Sequence, residues 1–370
     1  MRNLLFGLFL VGGIALAAGG RKRSGDAPQP VEQPAEEALA EIQERPPAPA
    51  MFPDGLPVVI QQVPDGLANL TAQGCNSCHW SAHDQWAPTG HANAWRSERF
   101  QAAVARVGQA TVCTQCHLPL ANQHDRLATG YVDQDLARPV LEDNPAWDPS
   151  LMSEGVGCAA CHVREGTILA VHDSSRSPHP LAVSAELTRS ESCATCHQLS
   201  WPGGDRPFYD TYGEWERSRY AEAGVGCQDC HMPPVAAPIT ASKFAAVSDH
   251  GFSADIRRAV SALVDLPSPR VQRGEPISVS VRLQNTGSGH HFPTGSPFKR
   301  YRVRARLLDS AGGELAETFT YDLAREIEAE PPWKTTADNR LPAGEEVSLE
   351  WEMTVAQKLP AQDATLVIDV

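Results

Sequence analysis

Aromatic residues are scarce in this chain, 6% of 370, and hydrophobic residues together reach only 42%, slightly low for a globular protein. Basic surface is lacking as well. Lys and Arg number 31 against 45 Asp and Glu, a net charge of −14, which argues against a nucleic-acid binder that needs clustered positive charge. No Ser/His/Asp hydrolase pattern, Gly-rich phosphate loop or flavin fingerprint is present, leaving those catalytic classes without support. Thirty prolines and 28 glycines exclude long uninterrupted helices as the dominant element. Against these absences stand ten cysteines and thirteen histidines.

The first residues, Met1-Arg2-Asn3, precede an uncharged apolar run from Leu4 to Ala18. That run is shorter than the roughly 17–25 residues of a membrane span, and with its basic start and small-residue end it reads as a secretory signal over 1–18. An uncleaved anchor is the alternative, because Arg21-Lys22-Arg23 follows at once. No cysteine closes the run, which excludes a lipid-modified thiol there, and no later stretch is apolar enough to span a bilayer. Residues 19–66 are rich in Pro, Ala and Glu and bury too little to offset their ordering entropy, so a tether is expected.

All ten cysteines and most histidines fall in 67–264, where short helical patches such as Ala92–Val107 and Tyr212–Ala223 are separated by Gly, Pro and Ser. Beyond, in 265–370, Pro276–Leu283, Tyr301–Leu307 and Glu346–Val355 alternate with period two between turn signals. The expected architecture is a mainly α and irregular domain followed by an all-β, immunoglobulin-like sandwich.

The cysteines form five copies of Cys-x-x-Cys-His: Cys75-Cys78-His79, Cys113-Cys116-His117, Cys158-Cys161-His162, Cys193-Cys196-His197 and Cys227-Cys230-His231. On a helical turn, residues i, i+3 and i+4 share a face. Two thiols can therefore bond the two vinyl groups of one haem while the next histidine reaches its iron. A zinc ribbon pairs Cys-x-x-Cys units, and five cannot pair evenly. A disulfide framework gives no reason for a histidine after each pair. The motif thus predicts five covalently bound haem c groups. With motif intervals of 38, 45, 35 and 34 residues, the porphyrins must lie close together and supply the core that the aromatics do not.

Eight histidines remain for the opposite faces of the irons: His83, His91, His124, His172, His179, His250, His290 and His291. His91 lies in a segment with Trp86 and Trp95, and that segment has an internal counterpart. Trp86 precedes His91 by five residues as Trp215 precedes Tyr220. Tyr220 is the one weak candidate for a catalytic role, beside an open iron; the plainer expectation is that its haem takes a ligand elsewhere. Surplus histidine makes bis-His ligation the default, with low reduction potentials.

These residues resemble the multihaem cytochromes c of the cytochrome c-554 and hydroxylamine oxidoreductase type over about 300 residues. The matching pieces include Cys75-Asn-Ser-Cys-His with Trp86 and His91, Gly155-Val-Gly-Cys-Ala-Ala-Cys-His and His179-Pro-Leu-Ala-Val-Ser. Gly224-Val-Gly-Cys-Gln-Asp-Cys-His-Met-Pro, Asp249-His-Gly-Phe and Asn285-Thr-Gly-Ser-Gly-His-His-Phe-Pro-Thr-Gly complete them. The resemblance implies His91, His179, His250 and His290 as distal ligands, with His124 as the fifth choice and His172 next. No lysine follows any motif, unlike the catalytic motif of pentahaem nitrite reductases.

The leading expectation is an exported pentahaem electron carrier, periplasmic or at the cell surface. Its expected partners are redox proteins, either other cytochromes or a quinol-oxidising membrane complex. The alternatives are a haem oxidoreductase acting on a small nitrogen or sulfur compound at one five-coordinate haem, and a subunit of a cell-surface conduit or filament.

Overall fold

In a computed structural model of the protein, the described residues are 59–107, 110–134, 138–201, 203–241, 243–266, 268, 270–360 and 362–369. The expected signal and most of the expected tether lie outside them. The last residues assigned to the tether, 59–66, do not behave as a spacer. Val59 bridges Leu120, Gln61 is buried against Asn122, and Gln61 Oε1 accepts from the Glu165 backbone N–H. Their prolines and polar side chains read as solvated, but Gln61 and Pro64 find buried partners instead.

The motif region contains helices α1 (Ala72–Trp86), α2 (Glu98–Val107), α3 (Ala110–His117), α4 (Cys158–His162), α5 (Glu191–His197), α6 (Thr211–Glu216), α7 (Arg219–Glu222) and α8 (Cys227–His231). The patch expected at Ala92–Val107 is helical only in α2, and that at Tyr212–Ala223 breaks at Ser218, which caps α7 through its Oγ. The region is less helical than expected. Short antiparallel pairs fill the gaps: β1 (Arg126–Tyr131) with β2 (Pro139–Asp143), β6 (Gln198–Ser200) with β7 (Pro207–Asp210), and β8 (Pro234–Thr240) with β9 (Lys243–Ser248). Between them, β3 (Val163–Arg164), β4 (Thr167–Ala170) and β5 (Leu181–Val183) form one small sheet. Three of the five motif helices end within two turns, and after His162 and His197 the chain turns straight into strand, so it satisfies its backbone by local pairing instead.

An internal repeat organises these pieces. The Trp86 indole donates to Val156 O at 2.9 Å, and the Trp215 indole donates to Val225 O at 2.9 Å. The Val156 N–H donates to His91 O and the Val225 N–H to Tyr220 O, both at 2.9 Å. Each valine stands two residues before a motif cysteine. Glu154 caps α1 by accepting from the Ala72 N–H at 2.8 and 3.0 Å, while Ser190 Oγ accepts from the Cys227 N–H at 3.0 Å. The first motif is thereby tied to the third, and the fourth to the fifth.

Gly155 makes the first of these junctions possible. It sits at φ +63°, and a Cβ there would meet His91 O at 2.6 Å. Gly155→Ala is expected to cost at least ~1–2 kcal/mol from the left-handed backbone alone. A thermal melt should show the loss together with a disturbed His91; an unchanged melting temperature would refute this role.

After α9 (Ile256–Ala259) the chain becomes all strand: β10 (Val260–Asp265), β11 (Pro276–Asn285), β12 (Arg300–Leu308), β13 (Phe319–Ile327), β14 (Thr335–Asp338), β15 (Glu346–Thr354) and β16 (Thr365–Asp369). They form two sheets, β10-β11-β15 and β14-β13-β12-β16. The alternation works as expected in β11, whose Ile277, Val279, Val281 and Leu283 are buried between exposed or half-buried neighbours. Val281 and Leu283 pack with Val303, Leu323 and Leu349 in one cluster shared by both sheets. Each such side chain contributes about 1.5–3 kcal/mol on burial.

The boundary expected at 264/265 falls inside this unit. β10 pairs along its whole length with β11, from Val260 opposite Asn285 to Asp265 opposite Ser280. Leu263 and Val264 are exposed, which hides the strand's alternation in the sequence.

Candidate haem sites

Every motif lies on a helical turn, and all ten thiols are free. Fit to haem c depends on the direction of each motif histidine's ring nitrogens and on what faces them. His79 Nδ1 donates to Ile239 O at 2.9 Å, His117 to Ala94 O at 2.8 Å, His162 to Leu169 O at 2.9 Å and His231 to Ser253 O at 2.9 Å. Committing Nδ1 to a carbonyl fixes the tautomer in which Nε2 carries the lone pair a metal needs. His250 and His290 are anchored the same way, to Ser248 O at 2.9 Å and His291 O at 3.0 Å.

Three motif rings face a second imidazole. His197 and His91 have ring centres 6.2 Å apart, as do His162 and His250, and His231 and His290. An iron between two imidazole nitrogens imposes two metal–nitrogen bonds of about 2.0 Å plus the depth of each ring, roughly 6 Å in all. The residues therefore fit a bis-His iron at three sites. Burial pushes His162 and His197 down to about 4, so both are neutral and able to ligate at neutral pH.

The remaining expected ligands are placed differently. His124 is half-buried and its Nε2 donates to Leu118 O at 2.8 Å, which leaves only Nδ1 with a lone pair. His179 is anchored through Nδ1 to Ser177 Oγ at 3.0 Å, and His172 is exposed. Among the described residues, none of these three stacks against a motif histidine, and neither His79 nor His117 faces a second imidazole ring. His117 instead carries Phe100 stacked at 3.7 Å. His83 tilts against Trp86, and His291 lies by Glu214. The Tyr220 hydroxyl donates to Thr286 O at 2.7 Å, joining the motif region to the C-terminal sheets.

Two relationships were not visible in the sequence. Phe252 lies edge-on to His91 at 4.4 Å and to His250 at 6.3 Å, so it stands between the histidines that face two motif rings. Its φ of +45° is an unfavourable conformation for a bulky residue. The aromatic in Asp249-His-Gly-Phe was the available signal. Cysteines of different motifs also lie near one another: Cys75 near Cys158, Cys116 near Cys196, and Cys193 near Cys227. Together with Phe252 these approaches link the first motif to the third, the third to the fourth, and the fourth to both the second and the fifth.

Residues 74–163, which hold the first three motifs, match the model of the family described as cytochrome c554 and c-prime. That match supports a c-type cytochrome with covalently bound haem c, an electron carrier in general terms. No curated protein and no solved structure matches the chain significantly.

Proposed function

We propose that the chain is an exported pentahaem c-type cytochrome, related to the c-554 and hydroxylamine oxidoreductase type, that passes electrons one at a time between protein partners. The observation that carries this reading is the recurrence of the 6.2 Å imidazole pair at three of five motifs. Haem c, when bound, supplies one-electron cycling between iron(III) and iron(II). The chain's own part is to hold each site close to the next, through the nearness of the motif turns and through Phe252, because tunnelling falls steeply with distance. The C-terminal strands, read as an immunoglobulin-like sandwich, deliver His290 to the fifth motif.

Export to the periplasm or cell surface follows from residues 1–18. The acidic balance favours partners with a basic docking face, other cytochromes or a quinol-oxidising membrane complex, and such association should weaken with salt.

A second reading has its own observation: among the described residues no second imidazole opposes His117, whose ring is stacked flat against Phe100. An open iron at that site would serve a small nitrogen or sulfur compound. Mass spectrometry should find five attached haems, and spectroscopy of the oxidised protein should find at least three low-spin. If reduced protein binds no carbon monoxide, the enzyme reading fails; if it binds at one site, the pure carrier does.

A further inference from the structure

The three facing imidazole pairs are not held alike. In two of them every ring is fixed through Nδ1: His162 to Leu169 O, His250 to Ser248 O and His231 to Ser253 O at 2.9 Å, and His290 to His291 O at 3.0 Å. The pair of His91 and His197 lacks such bonds. The His91 main chain is held, its carbonyl accepting from the Ala94 and Val156 N–H groups. Among the described residues, however, no hydrogen bond fixes either ring of this pair. A histidine ring without that anchor has a broad torsional well about its Cβ–Cγ bond and turns unless packing holds it.

Phe252 supplies that packing. Its ring centre lies 4.4 Å from that of His91 at an interplanar angle of 85°, at the short end for edge-to-face aromatic pairs. The His91 ring in turn stands at 70° to that of His197, whereas His162 and His250 differ by 35° and His231 and His290 by 13°. Phe252 is itself placed by bonds on either side. The His250 N–H donates to Gln85 Oε1 at 2.9 Å, the Gly251 N–H donates to Asp249 Oδ1 at 2.7 Å, and the Ser253 carbonyl accepts from His231. Between these anchors Phe252 sits at φ +45°, which a bulky residue keeps only where its surroundings over-determine it.

We propose, on the bis-His reading above, that Phe252 is a positioning residue for the fourth motif's site, fixing the His91 ring plane across that of His197 where the other pairs use backbone carbonyls. With haem c bound, each imidazole plane raises one of the iron's two dπ orbitals. Crossed planes raise both and leave them close in energy, while aligned planes split them, so ring orientation is read directly in the magnetic spectrum.

Electron paramagnetic resonance of the oxidised, full-length holoprotein is the test. The crossed pair should give a signal with one large g value, beside the rhombic signal of the aligned His231 and His290 pair. Phe252→Leu removes the aromatic edge but keeps apolar volume, and should abolish the large-g signal while leaving the rhombic one in place. Phe252→Tyr should retain both. If Phe252→Leu does not accumulate with its haems, Phe252→Met is read in the same way. A large-g signal that survives these apolar replacements, or is absent from the unsubstituted protein, overturns the proposal. His91→Ala separates that result from failure of the pairing itself. It should turn one haem high-spin whether or not Phe252 sets the plane, and a spectrum without a new high-spin haem refutes the pairing of His91 with His197 and the proposal with it.

Discussion

Replacing His290 with alanine is expected to turn one haem from low-spin to high-spin and to open its iron to carbon monoxide. The His290 ring lies 6.2 Å from that of His231 with an interplanar angle of 13°. Asn285 Nδ2 and Ser288 Oγ both donate to the His290 carbonyl, at 2.8 Å each, and hold the loop that presents the ring. Because the loop is fixed independently of the ring, the substitution should leave the fold standing while removing a ligand. About one fifth of the low-spin signal should be lost if all five haems begin low-spin. His172→Ala, on an exposed turn, should change nothing in the same spectra. An unaltered spectrum in His290→Ala would exclude His290 as a ligand.

Glu214→Ala is expected to destabilise the protein by about 3 kcal/mol, the range for breaking a buried charge pair. Glu214 comes from α6 and is 1% exposed. It reaches Arg340 Nη1 at 2.6 Å and accepts from Thr294 Oγ1 at 2.6 Å and the His291 N–H at 3.2 Å. All three partners belong to the C-terminal strands and their loops. Arg340 would keep Asp338, which limits the loss, but Thr294 and the His291 amide would be left without that acceptor. Denaturant titration is the direct check, and a loss below about 1 kcal/mol would mean that water replaces the carboxylate.

The chemistry of these sites was largely legible in the sequence, and their connectivity was not. Cys-x-x-Cys-His is a local pattern, so its meaning survives without a fold. So is the alternation of β11, where Val279 and Val281 turn inward between Ser278, Ser280 and Arg282. Which histidine faces which motif is another matter, since His91 and His197 are brought together from far apart in the chain. The Trp86 and Trp215 spacing was visible as a repeat, but its physical role was not. The indoles bind the carbonyls of Val156 and Val225, a contact that no spacing specifies. Residues 59–66 misled through composition, because a polar residue such as Gln61 looks solvated until Asn122 is seen to satisfy it. β10 escaped for the opposite reason: Leu263 and Val264 are exposed although apolar.

The order in which the chain emerges during synthesis gives the loop at Asn285–His291 a further meaning. The fifth motif, Cys227–His231, is made before the strands that carry His290. Covalent attachment at that motif can therefore be complete while the opposite face of its iron is still bare. On the proposed pairing, docking of the last hundred residues is the step that seals the iron. A chain clipped before β11 would keep its haems and lose that seal, leaving a reactive metal at the end of the conducting path.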